Sequence, residues 1–393
     1  GLTTSGGWLD IRKVTVFIGN QGSGKSTVAK LISTMTWVEK ALVRGDFSEL
    51  DITPEAFQLH CSYQNIGGYF KINTEIEYQG KAFFIRYNNQ NVTIEKNELN
   101  GYAFPKIMYV PAERNLVGSV RNVRRLKGLP STLYTFADEY FDALDSITGL
   151  MHLPINNASL EYDKLAEIAY IKGSDYTVKL SEASSGFQSF VPLYMVTAYL
   201  ADALNGKKNH SINHSSIQQE KQLRSEVQKI MSDPTLSEEV KNARLQLLSE
   251  LRSYSAFVNI VEEPEQNLFP TSQREVLNTL LSYSNRNKEN CLVLTTHSPY
   301  LINYITLAVK ANSLLKRISN DNTKLLSKLQ KIVPFTAALD GHELAIYEMN
   351  EDNGTISQLG EYNGLPSDDN ELNEQLGQTN ELFAQLLEIQ QQL

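Results

Sequence analysis

The chain has 393 residues, of which 41% are hydrophobic and 21% charged, with a net charge of −9 and a pI near 5.3. That length fills one large domain with insertions, or two domains, and the acidic balance argues against a basic coat for nucleic acid over the whole surface. Two cysteines without metal spacing, Cys61 and Cys291, exclude a disulfide framework, and no apolar run reaches the length of a membrane span. A cytoplasmic protein with no membrane attachment is the expectation, since no secretory signal is seen either. The opening, LTTSGGWLDIRK, reads as a start cut short, with Gly1 as a leftover of cloning.

In chain order, VTVFI at 14–18 predicts a buried parallel strand. Residues 25–42 follow with apolar positions at Val28, Leu31, Ile32, Met35 and Val38, a helical period. Between about 60 and 110 the pieces YFKINTEIEYQ, GKAFFIRYN, QNVTIEK and KIMYVPAER predict a meander of antiparallel strands. Residues 131–150 and 159–172 are predicted mostly helical, and LSEASSG then leads into the apolar helix FVPLYMVTAYLADAL. RNVRRLK, with Arg121, Arg124, Arg125 and Lys127, reads as a solvated helix face or a local basic patch. The polar segment 206–253, which holds His210 and His214, predicts a loop and two amphipathic helices. FVNIVEE at 257–263 and CLVLTTH at 291–297 are two more buried strands, and a hairpin turning at Asn353-Gly354 precedes a C-terminal polar helix. Strands and helices alternate around the motifs, which predicts an α/β sheet with an antiparallel layer.

Four of these pieces carry chemistry. GNQGSGKS at 19–26 matches the phosphate-cradling pattern G-x-x-x-x-G-K-[ST] between a buried strand and a helix. Gly19, Asn20, Gln21, Gly22, Ser23, Gly24, Lys25, Ser26 and Thr27 are therefore the candidate phosphate site: backbone N–H groups converge on the anion, Lys25 reaches the terminal phosphates, and Ser26 sits on Mg²⁺. FVNIVEEPE ends a buried strand in paired carboxylates, with Glu262 as a magnesium ligand and Glu263 as the base that polarises the attacking water. Glu265 reads either as a supporting group or as surface. His297, at the carboxyl end of the third strand, is placed to donate to the terminal phosphate. Ser184, Ser185 and Gly186, in LSEASSGFQS before a long apolar helix, form a second candidate anion site or a plain N-cap.

In this order the four pieces resemble the heads of ABC-type ATPases: a Walker A loop, an LSGGQ-like signature, a Walker B strand with a catalytic glutamate, and a switch histidine. The likeness is to the bacterial RecF/SMC-like group that includes the ATPase part of the OLD proteins, through EEPEQNLFP, THSPYL and YVPAERN, and it covers most of residues 10–305. The signature reads SSGF in place of SGGQ, Glu262 stands where aspartate is usual, and no Q-loop glutamine is seen, Glu113 or Arg114 reading either as its stand-in or as part of a structural ion pair.

The resemblance implies a P-loop NTPase of α/β class with a mainly parallel core sheet, an antiparallel β layer at about 60–115 and a helical signature subdomain at about 130–205. The head spans 1–205 and 254–345, with an insertion at 206–253 and a hairpin and helix at 346–393. It implies ATP and Mg²⁺, slow turnover, and a homodimer or higher homo-oligomer in which Ser184 to Gly186 of one copy complete the nucleotide site of another. Standalone heads of this kind resemble the ATPase components of bacterial anti-phage systems, so a separate effector protein is the expected partner, docking on the insertion or the C-terminal hairpin and helix. The alternative is a RecF-like DNA-binding ATPase that uses RNVRRLK on duplex DNA. A small-molecule kinase is a third option, and it leaves LSEASSG and His297 without a role.

Overall fold

The computed structural model describes residues 2–5, 7–98, 101–120, 123–204, 230–232, 241 and 254–391. The polar insertion expected at 206–253 lies outside these except for 230–232 and 241, which are helical. The chain divides into two compact units, one of residues 1–26, 153–158 and 261–393, the other of 27–152 and 159–260.

Strands β1 (Thr3–Thr4), β2 (Val14–Gly19), β3 (Ile76–Gln79), β4 (Phe83–Asn88), β5 (Asn91–Lys96), β6 (Pro105–Val110), β7 (Met151–His152), β8 (Ser159–Asp163), β9 (Ile168–Lys172) and β10 (Thr177–Lys179) come first. They are followed by β11 (Ala256–Glu262), β12 (Cys291–Thr296), β13 (Leu344–Met349), β14 (Thr355–Gln358), β15 (Glu361–Tyr362) and β16 (Leu365–Pro366). The described α-helices are α1 (Lys25–Arg44), α2 (Pro54–Tyr63), α3 (Asn115–Ser119), α4 (Ser131–Asp145), α5 (Ser185–Leu204), α6 (Pro270–Ser284), α7 (Pro299–Leu315), α8 (Thr323–Ile332) and α9 (Glu371–Gln391).

The main sheet has seven strands in the order β1-β14-β13-β2-β12-β11-β6 and is mainly parallel. β2 pairs in parallel with β12 on one side and β13 on the other, and only β13 with β14 is antiparallel among the four pairings of described register. Every residue of β2, β6 and β11 is buried. Strands covered on both faces read as continuous apolar runs, and VTVFI and FVNIV are such runs. The α/β class, with a mainly parallel sheet, antiparallel sheets and helices, is as expected.

Two local expectations are overturned. Residues 159–172 form the antiparallel pair β8–β9, within a four-stranded sheet of order β10-β9-β8-β7, instead of a helix. The cause is turn chemistry: Asp163 Oδ1 accepts from the N–H of Leu165 and Ala166, both at 3.0 Å, and Glu167 takes the left-handed conformation (φ 53°), which closes a hairpin. KIMYV, expected in the antiparallel meander, is β6 at the edge of the main sheet; the meander itself is β3-β4-β5. The first strand of the C-terminal hairpin, β13, lies inside the main sheet beside β2.

In the unit holding 27–152, α1 and α2 pack on the β3-β4-β5 sheet through Val38, Leu42, Phe57, Ile85 and Tyr87. Buried Glu39 closes this core on the polar side: its Oε1 accepts from the N–H of Ala82 at 2.6 Å and its Oε2 from the Tyr78 hydroxyl at 2.9 Å. Gly118 on α3 is required by close packing on α5, since a Cβ there would lie 2.4 Å from the Gln188 carbonyl oxygen. Lys106 of β6 and Glu139 of α4 make a buried ion pair at 2.6 Å.

Candidate functional site

The unit holding residues 1–26 and 261–393 brings four of the sequence-derived positions together. Register explains how. β12 runs beside β2 with Thr296 opposite Ile18, and β13 on the other side with Met349 opposite Gly19. Parallel strands end on the same side, so the glycine-rich loop after β2 meets the segment after β12, where ligands bind in open α/β sheets.

The loop from Gly19 to Gly24 opens α1. Gly19 has φ 138° and sits against β13, where a Cβ would lie 2.3 Å from the Met349 carbonyl oxygen. Among the described residues no acceptor is found for the N–H groups of Gly22, Gly24, Lys25 and Ser26, the first-turn donors that a helix leaves open. Ser26 is exposed and half-buried Thr27 follows in the same turn. Asn20 donates from Nδ2 to Glu351 at 2.8 Å and accepts from the Gln21 N–H at 2.9 Å.

Lys25 is buried, and its ammonium folds back on the loop, donating to the carbonyls of Gly19 (2.8 Å) and Asn20 (2.7 Å) and to Ser23 Oγ (3.3 Å). His297 Nδ1 lies 3.4 Å from the same nitrogen. Burial lowers the Lys25 pKa to about 8, against the opposing pull of Glu263, Glu265, Glu371 and Glu351.

His297 Nε2 lies 3.3 Å from Glu263 Oε1. A protonated lysine only donates, so Nδ1 accepts and Nε2 carries the hydrogen that faces Glu263. His297 thus bridges Lys25 and Glu263. Glu263 has φ 42°, an uncommon conformation for a side-chain-bearing residue, and its N–H is held by the Thr295 carbonyl at 2.9 Å. Glu262, just before it, ends β11 as a buried side chain at 5% exposure.

Glu265, left open between support and surface, is a clamp. Its Oε1 accepts from the Thr296 hydroxyl at 2.7 Å and from the His297 N–H at 2.8 Å. Its Oε2 is sealed from solvent without a hydrogen-bond partner among the described residues, and burial raises its pKa. Sequence reading also missed Glu351 and Glu371. Only their place after the third strand of the loop's neighbourhood marks them, and that strand pairs at a distance no local pattern reveals.

No family model matches the chain, and no curated protein matches it either.

Ser184, Ser185 and Gly186 belong to the other unit. There Ser184 and Ser185 are exposed at the start of the 20-residue helix α5, and Gln188 bonds back to the carbonyls of Ser181 and Ala183. Arg114 is completely buried, with Nη1 donating to the Pro111 carbonyl, while Glu113 beside it is exposed. Arg121 lies outside the described residues; Arg125 and Lys127 are exposed. No helix among the described residues is long and apolar enough to cross a membrane. No group of three or more His, Cys, Asp or Glu is arranged among them to hold a metal ion.

Proposed function

We propose that this chain binds ATP with Mg²⁺ and hydrolyses it slowly, as a P-loop ATPase of the ABC kind whose nucleotide controls association between two copies. The observation that carries the reading is the bridge from Lys25 through His297 to Glu263, at 3.4 and 3.3 Å, set against a helix start with four open N–H groups. An anion at that start gains the N–H donors and the helix dipole together. Lys25 exchanges its bonds to the Gly19 and Asn20 carbonyls for phosphate oxygens. Glu263 takes the proton of the attacking water, and His297 holds Glu263 in line. Ser26 and Glu262 are the residues for magnesium. One hydroxyl and one carboxylate suit an ion that keeps most of its waters and is otherwise held by substrate phosphates, and when bound it neutralises charge on the phosphates.

Ser184, Ser185 and Gly186 of a second copy complete the site in this reading, and a separate effector protein responds to the closed pair. Glu263→Gln removes the base and leaves the binding groups in place. With MgATP it is expected to bind nucleotide, to lose hydrolysis by roughly two orders of magnitude or more, and to elute as a stable dimer. Normal hydrolysis by this variant, or retained nucleotide binding by Lys25→Ala, refutes the assignment.

A further inference from the structure

The unit holding 27–152 and 159–260 contains a cavity of about 530 Å³ that the nucleotide reading does not use. That volume lies within the ~300–1,000 Å³ of small-molecule sites. On α4, Tyr140, Phe141, Leu144 and Asp145 line it from one face, spaced as neighbours one and four residues apart. The β8–β9 hairpin adds Tyr162 and its cross-strand partner Ala169, which lie on the same side of the sheet because directly opposed residues of an antiparallel pair do. Val117 of α3 and Leu180 add apolar wall. Lys164, in the hairpin turn, donates to the Asp145 carbonyl at 2.6 Å and ties the hairpin to the end of α4.

The polar groups of this cavity are incompletely satisfied. Tyr140 is 2% exposed, and its hydroxyl has no hydrogen-bond partner among the described residues. Unlike the orphan oxygen of Glu265, that hydroxyl is not sealed, so it opens on the cavity that its side chain lines. Burial, with a smaller push from Tyr162, raises its pKa; the hydroxyl stays neutral and can both donate and accept. Of the charged side chains on the walls, Lys179 and Glu182 pair with each other at 2.9 Å, and Lys164 is committed to the Asp145 carbonyl. Arg125, from the run RNVRRLK, and the carboxylates of Asp145 and Glu167 have no ion-pair partner among the described residues.

These groups sort the ligand classes. A hydrocarbon leaves the Tyr140 hydroxyl stranded, and a phosphate meets two open carboxylates for one guanidinium. A flat, neutral heteroaromatic base meets aromatic rings to pack on. Its amino and ring N–H groups have carboxylates to donate to, and its ring nitrogens and carbonyls have Arg125 and Tyr140 to accept from. We propose that this cavity binds a purine nucleoside, held by the rings of Tyr140, Phe141 and Tyr162 and read at its edges by Arg125, the Tyr140 hydroxyl and the carboxylates of Asp145 and Glu167. The wall at Leu180 to Glu182 runs directly into Ser184, Ser185 and Gly186, so an occupant bears on the helix start that completes a second copy's site in the reading above. Binding itself does not rest on that reading.

The test is isothermal titration calorimetry of the full chain with adenosine and with guanosine, against indole as an apolar ring and ribose 5-phosphate as a sugar anion. At least one nucleoside is expected to bind tenfold or more tighter than either control. Tyr140→Phe and Arg125→Ala are each expected to weaken it roughly fivefold or more, Ala169→Trp to abolish it by filling the cavity, and Lys25→Ala to leave it unchanged. The melting temperature of Tyr140→Phe is expected to equal or exceed that of wild type, since the lost hydroxyl has no partner to leave behind. The inference is overturned if neither nucleoside binds, if a control binds as tightly, or if Tyr140→Phe and Arg125→Ala both bind as wild type does. Nucleoside binding lost in Lys25→Ala but kept in Ala169→Trp belongs to the glycine-rich loop and overturns it equally. A clear drop in melting temperature for Tyr140→Phe does the same, because the hydroxyl then has a structural partner. Should Ala169→Trp fail to fold, Tyr140→Phe and Arg125→Ala decide.

Discussion

Lys25 is expected to take up a proton when the chain binds ATP, and the size follows from its surroundings. Burial holds its pKa at about 8, so about half of the ammonium is deprotonated at pH 8, about a tenth at pH 7 and about nine-tenths at pH 9. A triphosphate beside the nitrogen restores proton affinity, so binding takes up about half a proton at pH 8 and falls to near none at pH 7. Apparent affinity is then expected to weaken about tenfold from pH 7 to pH 9, or about 1.4 kcal/mol. The stability sign is the reverse of the usual lysine case. Between pH 8 and 10.5 the unfolded chain keeps a proton that the folded chain has lost, so this group makes stability rise with pH through that window. Isothermal titration calorimetry at pH 7 and pH 8 in two buffers of different ionisation enthalpy reads the uptake. Uptake that does not grow from pH 7 to pH 8 refutes the reasoning.

Four further substitutions test the scaffold. Glu265→Ala leaves the Thr296 hydroxyl and the His297 N–H without their acceptor and is expected to cost about 2–5 kcal/mol in chemical denaturation, with kcat falling more than KM rises. Glu265→Gln keeps Oε1; because burial raises the native pKa, wild type loses stability as pH rises past the ordinary carboxylate range, so the variant's melting temperature gains on wild type at pH 8 relative to pH 5. Gly19→Ala combines a φ of 138° with a Cβ 2.3 Å from the Met349 carbonyl and is expected to cost about 2–6 kcal/mol, read from urea melts; a loss below about 0.5 kcal/mol contradicts the packing described. Lys106→Met strands Glu139 in a buried pair and is expected to cost about 3–5 kcal/mol, while the double variant with Glu139→Leu returns to near wild type.

How much of this was legible in the sequence depends on how local each signal is. VTVFI, FVNIV and CLVL announce themselves because strands buried on both faces are apolar without alternation. PKIMYV likewise lacks alternation, and all six of its residues are buried although β6 is an edge strand; the period of two that marks the pieces around β4 is absent from it. The β8–β9 hairpin was hidden by composition: Leu165, Ala166 and Glu167 favour helix, and the aspartate that makes the turn looks like any surface acid. β13 was legible as a strand but not as the partner of β2, because nothing local encodes a parallel pairing across more than 300 residues.

The donors at Lys25 set what an arriving anion displaces. The ammonium has three N–H groups and four acceptors within reach: the carbonyls of Gly19 and Asn20, Ser23 Oγ and His297 Nδ1. The two longest contacts, to Ser23 at 3.3 Å and His297 at 3.4 Å, share the last hydrogen. A phosphate oxygen that approaches Lys25 competes first with those two, since a charged acceptor outbids a neutral one. His297 then loses its hold on the lysine while its backbone stays clamped by Glu265 and its Nε2 stays on Glu263. Anion entry therefore frees one face of a histidine whose other face already touches the proposed base. Glu265→Ala loosens the clamp and leaves Lys25 intact, so it is expected to separate nucleotide binding, which survives, from hydrolysis, which falls. Loss of both together places the coupling elsewhere.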